Sequence, residues 1–134
     1  MAKHKLQLYS ESLEFDTIIQ PTLKEQQGDF EYQGNWSKNI FNNNNPIVVE
    51  LGCGKAEYSL MLAQQHPEKN FIGVDIKGDR MLRGAREAKE KNITNIRFLR
   101  MQIEQIKNVF AKDEISEIWI TFPDPFPIKP KKRL

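Results

Sequence analysis

Short apolar runs alternate along this chain with longer amphipathic stretches, a pattern typical of strands that alternate with helices. The first run, Ile47, Val48 and Val49, is β-branched and predicts a strand buried on both faces. Further apolar runs predict strands over residues 70–76, 96–101 and 117–122. Alternation of this kind implies parallel pairing with right-handed crossovers, so the sequence predicts an α/β fold with helices on both faces of a parallel sheet.

The stretches between these strands have helical periodicity. Residues 56–66 predict a helix that Pro67 ends, and residues 103–110 predict a short one. In residues 78–92 the apolar positions fall on one face of a predicted helix. The opposite face carries a row of arginines, Arg80, Arg83 and Arg86. This row is either a solvated helix face or a surface that faces RNA.

Residues 1–45 show no clear period. Residues 28–34, with aromatic residues in and beside them, predict a loop or a short hairpin. The polar residues 42–45, followed by Pro46, predict a turn before the first strand. We therefore expect an N-terminal arm, residues 1–45, that covers one edge of a domain formed by residues 46–134. Contact between the arm and a substrate is the alternative.

The composition narrows the class of protein. The chain has 134 residues, of which 39% are hydrophobic, enough for one modest domain. The formal net charge is only +2, so overall charge does not by itself indicate a nucleic-acid partner. Cys53, the sole cysteine, excludes an internal disulfide and a cysteine-rich metal site, and no metal is expected. Without a secretory signal or a membrane-length apolar run, the expected location is cytoplasmic, with no membrane partner.

The first strand runs directly into a glycine turn that precedes the first helix. Gly52 and Gly54 let the backbone turn sharply and approach a ligand closely. A dinucleotide fingerprint would have a third glycine where this chain has Glu57, and the third small residue is Ala56 instead. Glu50, just before the turn, would repel a pyrophosphate but suits a ligand with an ammonium or sulfonium group.

Two more polar side chains lie at the ends of the following strands. Asp75 ends the second strand, where a carboxylate can accept hydrogen bonds from both hydroxyls of a ribose. Gln102 follows the third strand, where it could bond the edge of an adenine or line its pocket. S-adenosylmethionine carries an ammonium and a sulfonium group and no phosphate, so it is the expected cofactor.

The fourth strand leads into a distinctive motif, Phe122-Pro123-Asp124-Pro125-Phe126, which a basic run follows. With this motif the chain resembles the bacterial tRNA (guanine-N7)-methyltransferases. The resemblance covers residues 45–134 and, more loosely, the N-terminal arm. Its matching stretches are residues 50–54, 71–75, 95–99 and 122–125.

The resemblance implies a Rossmann-like fold of the class I methyltransferases, S-adenosylmethionine as methyl donor and a guanosine in the variable loop of tRNA as acceptor. By motif position, Asp124 would be the catalytic residue and would line the cofactor pocket with Glu50, Asp75 and Gln102. Lys129 would bind the substrate. Gln102 stands where the family usually has an aspartate.

The resemblance also predicts the order of the strands. In the fold of this family the four predicted strands would be ordered three, two, one, four. The family has further strands and a downstream substrate motif, with threonine and glutamate, that have no match here. The outer edge of the fourth strand would then be unpaired and prone to association. We therefore expect a fragment that holds the first four strands, much of the donor pocket and an incomplete acceptor site.

Other functions remain open. A nicotinamide-dependent oxidoreductase on the same fold is disfavoured by Glu50 and by the missing third glycine. A methyltransferase acting on an amino nitrogen would often carry Asn-Pro-Pro-aromatic after the fourth strand, whereas this chain has Pro-Asp-Pro-Phe. A non-catalytic RNA-binding piece would use the basic end of the chain to contact phosphates, through Lys129, Lys131, Lys132 and Arg133.

Overall fold

The computed structural model describes residues 2–120 of the chain, with side chains from Leu6 onward. Within these residues one sheet has five strands: β1 Ile18–Ile19, β2 Ile47–Leu51, β3 Asn70–Asp75, β4 Ile96–Arg100 and β5 Glu117–Ile120. Their order in space is β1-β4-β3-β2-β5, and every neighbouring pair is parallel. The carboxyl ends of all five strands therefore meet at one edge of the sheet.

This sheet confirms the predicted α/β, Rossmann-like fold. The four predicted strands correspond to β2, β3, β4 and β5, and their order in space is the predicted one. β5 is described through Ile120, so residues 121 and 122 of the predicted strand lie outside the described residues. The two-residue β1 is an additional strand that the sequence pattern did not predict.

Three α-helices occur among the described residues: α1 Ala2–Ser12, α2 Glu57–Gln65 and α3 Gly78–Glu90. The second and third confirm the helices predicted over residues 56–66 and 78–92, and their ends differ by no more than about two residues. The third predicted helix is a shorter 3₁₀ helix. That 3₁₀ helix is Ile103–Asn108. A second 3₁₀ helix lies at Glu25–Gln27, and a π-helix lies at Trp36–Phe41.

The sheet separates two apolar clusters because successive strand residues point to opposite faces. On one face, α2 and α3 contribute Leu60 and Leu82, which belong to the same cluster as Phe71 and Phe98 of the strands. On the other face, the residues before β2 and the 3₁₀ helix Ile103–Asn108 cover the strands. The buried members of this second cluster include Trp36, Phe41, Val49, Ile72, Leu99 and Phe110.

The N-terminal segment has more regular structure than its sequence predicts. α1 packs on α3, where the Arg86 guanidinium donates to the Glu11 carboxylate, with Nε to Oε2 at 2.8 Å. β1 extends the sheet beyond β4 and pairs Ile18 with Phe98. Neither element has a clear sequence signal, because a two-residue strand cannot show alternation and α1 leaves large apolar side chains exposed. Leu6, for example, is 67% exposed.

The segment before β2 is anchored by Trp36. Its ring is fully buried, stacks on Phe110 at 4.8 Å between centroids, and donates Nε1–H to the Val109 carbonyl at 2.8 Å. Phe30 packs against the same ring at 5.9 Å. The aromatic residues of this region therefore hold the segment against the second face of the sheet.

Candidate cofactor site

The glycine turn crosses from β2 to α2 over the end of β3. Gly52, Gly54 and Ala56 have φ angles of 75°, 58° and 60°, in the left-handed region that glycine tolerates best. The Gly52 and Cys53 N–H groups both donate to the Val74 carbonyl, at 2.8 and 3.0 Å. These bonds hold the turn directly above the carboxyl end of β3.

Two glycines outside the turn allow it to lie so close, and the sequence did not single out either one. A Cβ on Gly73 would lie 2.9 Å from the Cys53 Sγ, and one on Gly84 would lie 2.6 Å from the Lys55 carbonyl oxygen. Real Cβ atoms do not approach so closely, so a side chain at either position would push the turn away. The missing side chains in β3 and α3 therefore help to set the position of the turn.

Asp75 is oriented by three backbone N–H groups. Its Oδ2 accepts from Gly54 N–H at 2.8 Å, and its Oδ1 accepts from Ile76 and Lys77 N–H at 2.7 and 3.1 Å. The first bond joins the end of β3 to the glycine turn, and the other two shape the loop that enters α3. The carboxylate is thus fixed beside the turn, as its place at the end of the second predicted strand suggested.

Glu50 lies on the other side of the turn, at the end of β2, and only 4% of it is exposed. Ser59, in the first turns of α2, donates its hydroxyl to the Glu50 Oε1 at 2.6 Å. The sequence pattern did not single out Ser59. Its signal was a small polar residue beside Leu60 on the helix face that turns inward, where a buried hydroxyl needs a partner.

Cys53 lies in the glycine turn, close to both carboxylates. Burial raises the pKa of the Cys53 thiol, and the negative charges of Glu50 and Asp75 raise it further. Both acids therefore lie close enough to one side chain in the turn to affect its ionisation. A thiol with a raised pKa stays protonated at neutral pH, which fits a packing role better than a nucleophilic one.

Gln102 lies just beyond β4, at the start of the 3₁₀ helix Ile103–Asn108, and its side chain is exposed. Its backbone N–H donates to the Oε1 of the buried Gln26 at 3.3 Å. Gln26 also donates its Nε2 to the Pro21 carbonyl at 3.1 Å. The N-terminal segment thus reaches the edge of the sheet where the candidate site lies, which the sequence did not reveal.

The structure brings four of the predicted site residues together around one turn: Glu50, Gly52, Gly54 and Asp75. Gln102 lies at the carboxyl end of β4, the strand next to β3. Asp124 and Lys129 lie outside the described residues.

Within residues 2–120, no group of three or more His, Cys, Asp or Glu side chains is placed to hold a metal ion. None of the described helices is both long and apolar enough to span a bilayer. The charged groups that take part in hydrogen bonds around the turn are the carboxylates of Glu50 and Asp75, which suit hydroxyl and cationic ligand groups.

The chain matches a known protein family over most of its length. Residues 44–134 fit the family model described as "Putative methyltransferase". This stretch begins just before β2 and includes the glycine turn, Asp75, Gln102 and the Pro-Asp-Pro motif.

Several curated relatives carry the name tRNA (guanine-N(7)-)-methyltransferase. The chain is 54% identical over 125 residues to a tRNA (guanine-N(7)-)-methyltransferase of Christiangramia forsetii, a match that covers 92% of this chain and 56% of the relative. It is 44% identical to the protein of that name from Bacteroides fragilis, covering 100% of this chain and 54% of the relative. The chain therefore spans about half the length of these relatives.

Solved structures agree with the fold. A 30S ribosomal A1408 methyltransferase from an uncultured bacterium aligns with a TM-score of 0.55 at 24% identity, over 66% of this chain and 43% of that one. PKMT2 from Rickettsia typhi in complex with AdoHcy aligns with a TM-score of 0.50 at 20% identity, over 57% of this chain and 14% of that one. Sheet order and the glycine turn are those of a Rossmann-like methyltransferase fold. The match of residues 44–134 shows that the chain belongs to the methyltransferase family which that model describes.

Proposed function

We propose that this chain binds S-adenosylmethionine and serves methyl transfer to N7 of a guanosine in tRNA. The observation that carries the proposal is the pair of acids, Glu50 and Asp75, on either side of a glycine turn at the carboxyl ends of adjacent parallel strands. This is where ligands bind in open α/β sheets. The names of the curated relatives support the acceptor.

The polar groups around the turn fit S-adenosylmethionine better than a dinucleotide. A carboxylate has about four acceptor positions, and the Asp75 carboxylate uses three of them on backbone N–H groups. One ribose hydroxyl can take the remaining position, and a second can bind if the Gly54 N–H bond opens. Glu50 supplies a negative charge for the cationic part of the cofactor, while Gly52 and Gly54 leave two positions of the turn without side chains.

The roles of the other predicted residues follow from their places in the chain. Gln102 would line the adenine end of the pocket, since it follows the strand next to Asp75. Asp124 would complete the pocket and hold the guanine through its N1–H and N2–H₂ groups. Lys129 would contact the substrate.

The cofactor supplies an electrophilic methyl group on a sulfonium. Guanine N7 already presents a lone pair at the major-groove edge and has no proton to lose. The protein must therefore align the acceptor with the methyl group rather than supply a strong base, and alignment alone can lower a barrier by several kcal/mol. Pro123 and Pro125 restrict the backbone on both sides of Asp124 and would keep its carboxylate in one direction.

Asp124→Ala tests the catalytic role. We expect this change, made in an intact enzyme, to abolish most methyl transfer to unmodified tRNA, while the affinity for S-adenosylmethionine stays within about tenfold because Glu50, Asp75 and the turn remain. Turnover would be followed by transfer of a labelled methyl group, and affinity by calorimetry. Unchanged turnover would refute the role of Asp124.

Calorimetric titration tests the cofactor assignment. The chain should bind S-adenosylmethionine saturably at one site and should not bind NADH under the same conditions. Binding of NADH instead would favour an oxidoreductase. Retention of tRNA without any binding of S-adenosylmethionine would favour a non-catalytic RNA-binding protein.

A further inference from the structure

A cleft lies beside the candidate cofactor site, between α1 and the start of α3. Its volume is about 620 Å³. Ile76 and Lys77, which follow Asp75 directly, form part of its wall, so the cleft begins where the cofactor site ends. The lining residues are Leu8, Tyr9, Ser12, Ile76, Lys77, Gly78, Asp79, Arg80 and Arg100.

The charge of this cleft is positive. Lys77, Arg80 and Arg100 line it together with a single acid, Asp79. The N-terminus of the 13-residue α3 also opens there, and no side chain caps it. Its unpaired N–H groups add a partial positive charge.

Two of these cations have no structural partner among residues 2–120. The Lys77 and Arg80 side chains make no hydrogen bond or ion pair within the described part of the chain. Two cations farther along the chain are paired, since Arg86 in α3 bonds Glu11, and Lys91 Nζ, just beyond the end of α3, lies 2.8 Å from Glu87. The charges at the cleft are therefore available to a ligand.

Arg100 is held at the base of the cleft. Its Nε donates to the Ile76 carbonyl at 3.0 Å, and its Nη1 donates to the Gln20 Oε1 at 3.2 Å. Gly78 leaves room for it, because a Cβ there would lie 3.1 Å from the guanidinium. A guanidinium held in this way loses little conformational entropy when an anion approaches.

The opposite wall of the cleft belongs to α1. Tyr9 lies there, 49% exposed, and offers an aromatic ring at the mouth of a cationic cleft. Bases of unpaired nucleotides stack on such rings, whereas a simple anion gains nothing from them. The combination of cations with an exposed ring thus favours RNA over a free anion.

We propose that this cleft is a docking site for the tRNA substrate, in which Lys77, Arg80 and Arg100 contact backbone phosphates and Tyr9 stacks on a base. The proposal rests on tRNA as the substrate. It assigns a contact surface on the α1 side of the candidate cofactor site, formed by the N-terminal segment and α3.

A double charge reversal tests the docking site. Binding of unmodified tRNA to the full chain would be measured by fluorescence anisotropy over a range of salt concentrations. Lys77→Glu combined with Arg80→Glu should weaken binding at least tenfold and reduce the slope of log affinity against log salt by about 1 to 2, because phosphate contacts are lost.

The matched control is Lys38→Glu combined with Lys112→Glu. Both lysines are exposed and lie away from the cleft, and the variant carries the same change in net charge. Its affinity for tRNA should stay within about threefold of that of the chain without substitutions. Tyr9→Ala should weaken binding about tenfold without changing the salt slope, because stacking does not release counterions.

Several outcomes would overturn the docking site. These are equal tRNA affinity in the unmodified chain and the cleft variant, equal losses in the cleft and control variants, or competition by millimolar inorganic phosphate or AMP, which would indicate a small-anion site. An equal loss of S-adenosylmethionine affinity would assign the cleft to the cofactor site. If the chain bound S-adenosylmethionine but no tRNA, both the docking site and the proposed acceptor would fail, and the cofactor assignment would stand.

Discussion

Asp75 is the residue on which the proposed cofactor site most depends. Its carboxylate connects the glycine turn to the loop that enters α3, and it still has an acceptor position for a ligand. In the proposed site, ligand binding and local backbone structure would therefore depend on the same two oxygens.

Asp75→Asn should weaken the binding of S-adenosylmethionine by about tenfold or more, because hydrogen bonds to a charged group contribute about 1.5–3 kcal/mol. An asparagine would also direct an N–H₂ group toward a backbone N–H. Calorimetry would measure the affinity. Asp79→Asn is the matched control, since it removes the same charge from an exposed residue in the first turn of α3. Equal effects of the two variants would contradict the role of Asp75.

Gly84→Ala should destabilise the protein by about 1–3 kcal/mol, although alanine favours a helix over glycine by up to about 1 kcal/mol. The added methyl would meet the Lys55 carbonyl oxygen at 2.6 Å and the Phe98 ring at 2.9 Å. Because Lys55 belongs to the glycine turn, affinity for S-adenosylmethionine should fall as well.

Urea unfolding would measure this change in the free energy of unfolding. Arg83→Ala, at the exposed neighbouring position of α3, should stay within about 0.5 kcal/mol of the unmodified chain. If Gly84→Ala were stabilising, the close approach of α3 to the turn would be wrong.

At the scale of elements, the N-terminal segment is part of the packed domain. It supplies α1, β1 and the buried Trp36, and it contacts the 3₁₀ helix after β4 through Gln26. The carboxylate of Glu114, a residue just before β5, binds backbone groups of this segment. Its Oε1 accepts from Gly34 and Ala111 N–H, both at 2.8 Å, and its Oε2 accepts from Trp36 N–H at 3.0 Å.

Glu114→Gln should lower the free energy of unfolding by about 2 kcal/mol, because it weakens charge-assisted bonds and faces an N–H₂ group toward backbone donors. Urea denaturation followed by tryptophan fluorescence would report the change. Glu104→Gln, at an exposed position, serves as the control. A loss no larger than that of the control would mean that the segment is held by Trp36 and its apolar neighbours alone.

At the scale of the whole molecule, the sheet has unequal edges. The two-residue β1 forms one edge, beyond β4. The four-residue β5 forms the other, and within the described residues it pairs with β2 only. All four residues of β5 are exposed, including Trp119, which meets Tyr58 edge-on at 5.8 Å. The candidate cofactor site lies at the ends of the central strands, where both clusters of the core support it.

Because the cofactor site joins β2, β3, α2 and α3, a bound cofactor should stabilise the whole domain. At a concentration of 100 times the dissociation constant, S-adenosylmethionine should add about 2.7 kcal/mol and raise the midpoint of thermal unfolding by roughly 10 °C. Differential scanning fluorimetry would measure the shift. NADH should give none, and Asp75→Asn should give a smaller one. An equal shift with NADH would contradict the assignment.

The sequence by itself determined the alternation of strands and helices, the parallel sheet and the place of Glu50, Gly52, Gly54 and Asp75 at strand ends. These features depend on local periodicity and on residue types that disrupt it, which are visible in one dimension. Resemblance to a family added the order of the strands and the roles of Asp124 and Lys129.

Only the tertiary structure decided which distant residues meet. The bond from Ser59 to Glu50, the space above Gly73 and Gly84, the strand at Ile18 and the cationic cleft between α1 and α3 all join separate segments of the chain. Contacts of this kind depend on how the elements pack against each other, and packing at interior density leaves no periodic signal in the sequence.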